Sequence, residues 1–124
     1  MRWPRAAFVA AVLLNLVVLF SPRAGGGDLF AGADTLVHVV VFAVVALTGR
    51  LVGLRTWPLA LVLLVHAVES ELVQHYWLTR RSGDPVDAAA DVLGVLVGLL
   101  AAWMLARRDS RADNPRVARS GGIR

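Results

Sequence analysis

The sequence contains no cysteine, no lysine and a single isoleucine. Without cysteine the chain can build neither a disulfide framework nor a thiolate metal site, and cysteine usage assigns it to no redox compartment. Without lysine, all 13 basic residues are arginines, which together with the Ala/Val/Leu-rich remainder points to a GC-rich bacterial genome. No His-Glu-x-x-His or comparable metal motif occurs, and neither an internal repeat nor a heptad pattern runs through the chain. No motif names a cofactor.

What the chain has in excess is apolar side chain: 57% of its 124 residues, with a mean hydropathy of +0.64. A soluble domain of this size has no core large enough to hide that much apolar surface. The composition therefore predicts a polytopic membrane protein. The net charge of +4 is read in that light, as arginine that sets topology and not as a nucleic-acid surface.

Four apolar segments stand out, at about Ala6–Phe20, Thr35–Leu54, Trp57–Leu78 and Val86–Leu105. A bilayer span needs about 20 residues at about 1.5 Å each. The last three segments reach that length, and the first does so if Trp3 and Pro4 enter the interface. The first segment, preceded by Arg2 and Arg5, also has the form of a signal peptide. Pro22-Arg23-Ala24 is a poor cleavage site and Ala31-Gly32-Ala33 lies far beyond the apolar run, so an uncleaved helix is expected. The expected fold class is all-α, a four-helix transmembrane bundle over residues 1–106, followed by a disordered basic tail over 107–124.

Arginine placement orients the bundle. Arg2, Arg5, Arg50, Arg55, Arg107, Arg108, Arg111, Arg116, Arg119 and Arg124 fall on one side of a four-helix arrangement, and only Arg23, Arg80 and Arg81 on the other. The positive-inside rule then predicts both termini in the cytoplasm.

Ionisable groups inside spans are expensive and by default raise a functional hypothesis. Asp34, His38 and Phe42 recur every four residues and share a face of the second helix. Glu71, Gln74 and His75 share a face of the third. Asp87, Asp91, Gly94 and Gly98 form a stripe on the fourth, where Gly94-x3-Gly98 permits close helix approach. With the predicted topology these stripes meet in the outer half of the bundle. His66 and Glu69 lie roughly opposite the Glu71 face and are expected to pair with each other, which would make the third helix central or turn it toward a partner subunit.

The ordered set Asp34-x3-His38-x3-Phe42, Glu71-x2-Gln74, Arg80-Arg81, Asp87-x3-Asp91-x2-Gly94-x3-Gly98 resembles the VanZ-like family of membrane proteins over about half the chain. The family often has Lys where Thr35 stands and usually has Asn where Asp91 stands, and the proline common before its Arg is replaced here by Leu78-Thr79. The resemblance implies an envelope membrane protein, linked through the founding member to teicoplanin (glycopeptide antibiotic) resistance, and action on lipid head groups.

The residues themselves admit two readings each. Asp34 and His38 read as a general acid/base pair, or as an interfacial Asp at a helix N-terminus beside a His bonding another helix. Glu71 and Gln74 read as an acid/base or metal ligand with a substrate-orienting amide, or as interhelical hydrogen bonds. Arg80 and Arg81 read as a phosphate clamp, or as partners of Asp84 and Asp87. Asp87 and Asp91 read as a metal site suited to a hard divalent ion or as a proton partner for His38, against a helix cap and a salt bridge. The leading expectation is recognition or phosphoester modification of an envelope lipid head group: His38, Asp34 and Glu71 catalytic, and Gln74, Arg80, Arg81, Asp87 and Asp91 holding substrate. The partners expected are membrane lipids, a phosphate-bearing head group or cell-wall precursor, and further copies of the chain. The alternative is a non-catalytic envelope binder or accessory protein.

Overall fold

A computed structural model describes residues 3–21, 32–78 and 85–112. Four helices account for nearly all of them: α1 (Trp3–Phe20), α2 (Ala33–Leu51), α3 (Thr56–Trp77) and α4 (Pro85–Ala112). There is no strand among the described residues. Each helix is long and apolar enough to cross a membrane.

Local signals fix the helix ends. α2 stops in a Schellman turn: Gly53 takes φ 89°, its N–H reaches the Arg50 carbonyl at 3.0 Å, and the Leu54 N–H reaches the Gly49 carbonyl at 3.0 Å. The Arg50 guanidinium donates to the Leu54 carbonyl and ties the turn further. Pro58 in the first turn of α3 and Pro85 at the start of α4 occupy positions where a missing N–H costs nothing. α4 continues to Ala112, so residues 107–112, expected as the start of the polar tail, are helical. At 28 residues the helix is about 42 Å long, well beyond a hydrocarbon core of about 30 Å. The Arg107 guanidinium lies 3.8 Å from the centroid of the Trp103 ring near this projecting end.

The helices run up, down, up, down, but their order around the bundle is α1, α2, α4, α3. α1 and α4 do not touch, while α2 and α4, which run parallel, form the most extensive contact. Glycine makes that contact possible. A Cβ on Gly94 would strike the Val39 carbonyl and stand 2.9 Å from Phe42 Cβ, and one on Gly98 would strike the Ala43 carbonyl and stand 2.8 Å from Ala46 Cβ. The expected Gly94–Gly98 packing stripe is therefore the backbone-to-backbone seam of α2 and α4. The apolar core beside it holds Leu19, Phe42, Val45, Ala46, Leu63, Ala67 and Val95.

The molecule is inverted relative to a soluble protein. Leu13, Val17, Val62 and Leu96 are more than half exposed, whereas Asn15, His38, Ser70, Gln74 and Asp91 are at most 3% exposed. Outward apolar side chains around an inward polar set suit a lipid solvent. The fold is that of a multi-pass membrane protein.

Two expectations about α3 change. His66 does not form a buried pair with Glu69: the two stand 3.9 Å apart, and Glu69 is two-thirds exposed. His66 turns instead to α1, where its Nε2 lies 2.9 Å from Asn15 Oδ1, and its ring packs against Phe42 and Phe20. α3 touches all three other helices, yet α2 supplies the larger contacts and is the centre of the bundle.

Candidate functional site

The polar side chains gather where α2 and α4 begin and α3 ends. His38, one turn below Asp34 on α2, is fully buried, as is Asp91 on α4. His38 Nδ1 lies 2.8 Å from Asp91 Oδ1 and 3.8 Å from Glu71 Oε1 of α3. Three helices thus bring an imidazole and two carboxylates to one point. One layer further out, the Thr35 hydroxyl donates to Asp87 Oδ1 at 3.0 Å and joins the first turns of α2 and α4.

Of the two acidic partners that the sequence offered His38, Asp34 on its own helix and the Asp87–Asp91 pair of α4, the hydrogen bond goes to the second. The carboxylate hydrogen-bonded to His38 is Asp91, from another helix, and not Asp34 four residues before it. Asp34 remains close: one oxygen from it, one from Asp87 and a nitrogen of His38 lie mutually within 4.8 Å. A second set within the same limit is His38, Glu71 and Asp91, all buried. Either set has the donor types of a divalent-cation site. An ionised Asp91 requires the proton on His38 Nδ1, and a neutral imidazole in that tautomer has its lone pair on Nε2, available for base or ligand chemistry. Among the described residues, neither His38 Nε2 nor Asp91 Oδ2 has a hydrogen-bond partner.

The charge distribution is lopsided along the bundle axis. The described arginines are Arg5, Arg50, Arg55, Arg107, Arg108 and Arg111, and all belong to the opposite end. There Gly49 meets Phe8 and Leu59. Asp34, Glu71, Asp87 and Asp91 therefore share their end with no described arginine.

The other expected site residues separate. Gln74 is buried, but its amide donates to the Leu19 carbonyl at 3.1 Å and fastens α3 to the last turn of α1. His75 points away from the site and sits exposed among Tyr76 and Trp77, because the buried arc of α3 runs through Ala67, Ser70, Glu71 and Gln74. Arg80, Arg81 and Asp84 lie outside the described residues.

Sequence reasoning passed over Asn15 and Ser70. Asn15 is the sole uncharged polar residue in the apolar run of α1, and that isolation within a span was the available signal. Ser70 donates to the Ala67 carbonyl of its own helix and announces itself by nothing but its adjacency to Glu71.

The chain matches no protein-family model, no curated protein and no solved structure.

Proposed function

We propose that this chain is a VanZ-like protein of a bacterial plasma membrane that recognises, and through His38 modifies, the phosphate-bearing head group of an envelope lipid at the outer leaflet. The observation that supports this reading is the cluster of His38, Glu71 and Asp91, drawn from three helices to one end of the bundle. Arginine at the other end gives that end to the cytoplasm by the positive-inside rule, and both termini with it. The carboxylate end then faces outward.

In this reading Asp91 holds the proton on His38 Nδ1 and presents Nε2 as the base. Asp34, half-buried at the first turn of α2, is the approach to it from the surface. Thr35 and Asp87 hold α2 and α4 in register above the imidazole. Arg80 and Arg81, in the segment that joins α3 to α4, take the phosphate. Self-association belongs to the same reading. Glu69 stands on an exposed apolar face of α3 with Leu64, Val65, Val68 and Leu72, and a carboxylate at that depth calls for a protein neighbour.

The complete burial of His38 favours a second reading, in which the site binds a lipid or cell-wall precursor without chemistry and shields it. Native mass spectrometry of protein gently extracted from its own membrane tests both. A co-purifying phospholipid or isoprenoid phosphate that disappears in Arg80→Ala/Arg81→Ala supports the head-group site. Conversion of that lipid by wild type but not by His38→Ala identifies catalysis, and retention unchanged in both identifies the binder. No retained lipid in any form rejects both readings.

A further inference from the structure

We infer that His38, Glu71 and Asp91 together hold a divalent cation of the first transition row, with Mn2+ as its type. The inference rests on donor geometry and burial alone and goes beyond the head-group reading.

The distances carry it. Ligands about 2.1 Å from a shared ion stand about 3.0 Å apart at right angles and about 4.2 Å apart when opposite. His38 Nδ1 lies 2.8 Å from Asp91 Oδ1, close to the right-angle separation, and 3.8 Å from Glu71 Oε1, between the right-angle and opposed separations. All three side chains are buried, and their donor atoms lie mutually within 4.8 Å.

Burial supplies the independent observation. Asp91 is 0% exposed, and its Oδ2 has no partner among the described residues. A carboxylate held that way needs a proton or a cation. The one described base in reach is His38, which two carboxylates already share. A cation at Nδ1 answers both needs: it takes the lone pair of Nδ1, binds Asp91 and Glu71, and leaves the imidazole proton on Nε2, facing away from the ion. One imidazole with carboxylate oxygens, and no thiolate anywhere in the chain, is a donor set for Mn2+ or a similar borderline ion and not for a soft one. The outer set of Asp34, His38 and Asp87 competes for the same histidine, so the two sets make opposite predictions for Asp34.

The test uses the full chain in detergent, stripped with a chelator and titrated with Mn2+ alone. The free Mn2+ signal in electron paramagnetic resonance reports binding, and nitrogen coupling in pulsed experiments reports imidazole ligation. Wild type is expected to bind a single Mn2+ with coupling to one nitrogen. Glu71→Gln and Asp91→Asn should each weaken binding at least about tenfold, and Asp34→Asn should leave it within about twofold. The nitrogen coupling is read on wild type, so variants that do not fold leave the proposal testable. Absence of bound Mn2+, or bound Mn2+ without nitrogen coupling, overturns it and leaves a proton as the charge partner of Asp91. Loss in Asp34→Asn with retention in Glu71→Gln overturns it in favour of the outer set. Because no lipid is present, none of these outcomes bears on whether a head group binds; a cation on Nδ1 does leave Nε2 protonated and so removes His38 as the base of the proposed modification.

Discussion

Substituting the three packed helix glycines should separate backbone contact from side-chain contact. On Gly94 a new Cβ meets the Val39 carbonyl and Phe42 Cβ at 2.9 Å; on Gly98 it meets the Ala43 carbonyl and Ala46 Cβ at 2.8 Å. Neither neighbour can turn aside, so α2 and α4 must part by about 0.6–1 Å to restore carbon contacts of about 3.5 Å. Overpacking of this kind costs about 1–3 kcal/mol. At Gly94 the same displacement stretches the 2.8 Å His38–Asp91 bond one turn away beyond hydrogen-bond range, which adds about 1.5 kcal/mol. Alanine's better helix propensity returns about 1 kcal/mol at every site. Gly94→Ala should therefore lose about 1.5–3.5 kcal/mol net and Gly98→Ala about 0–2 kcal/mol. At Gly49 the nearest atoms are Leu59 Cδ2 at 2.9 Å and Phe8 Cε2 at 3.2 Å, both movable side-chain ends, so Gly49→Ala should fall near zero. Reversible unfolding in mixed micelles measures all three. A Gly94→Ala protein within about 0.5 kcal/mol of wild type, or a Gly49→Ala protein less stable than it, would refute the backbone-seam argument.

Three further outcomes are expected. The Asn15–His66 bond should give a coupling energy of about 0.6–2 kcal/mol in a double-mutant cycle with Asn15→Ala and His66→Ala, whereas Glu69→Ala with His66→Ala should show coupling near zero. Glu69→Leu should shift the chain between oligomeric states in native mass spectrometry, and an unchanged distribution would remove Glu69 from any subunit contact. Since the chain has no cysteine, single-cysteine variants map topology without background: Gly32→Cys should react with an impermeant thiol reagent from outside and Arg55→Cys only after lysis, the reverse pattern contradicting the proposed orientation.

The parts of this structure legible in the sequence are those set by periodicity within one helix. The Asp34–His38–Phe42 stripe and the Asp87–Asp91–Gly94–Gly98 stripe follow from four-residue spacing, and both face inward. What periodicity does not carry is register between helices. His38 chooses Asp91 over Asp34 because Gly94 and Gly98 draw α4 onto α2 at one particular height, and no spacing within α2 encodes that height. The His66–Glu69 expectation held only as a long, exposed contact of 3.9 Å, for a related reason. Residues three apart are near on a helix surface, but His66 found a better acceptor on α1 while Glu69 turned outward. His75 was grouped with Glu71 by a four-residue step, yet the buried arc of α3 is narrow and ends at Gln74.

The gathering of Asp34, Glu71, Asp87 and Asp91 at one end, away from the described arginines, also makes the molecule an electrical object. His38 lies five residues into α2, about 7.5 Å from the end of the helix that the proposed orientation turns outward, and so about a quarter of the way through a core of about 30 Å. A membrane potential of about 100 mV acts on a full crossing with about 2.3 kcal/mol per charge, hence with about 0.6 kcal/mol per charge at that depth. In the proposed orientation an inside-negative potential would draw a cation from the outer solution toward His38 and hold a divalent one there by about 1.2 kcal/mol. Occupancy of the site would then report whether the membrane is energised, with an affinity that drops by somewhat less than tenfold when the potential collapses.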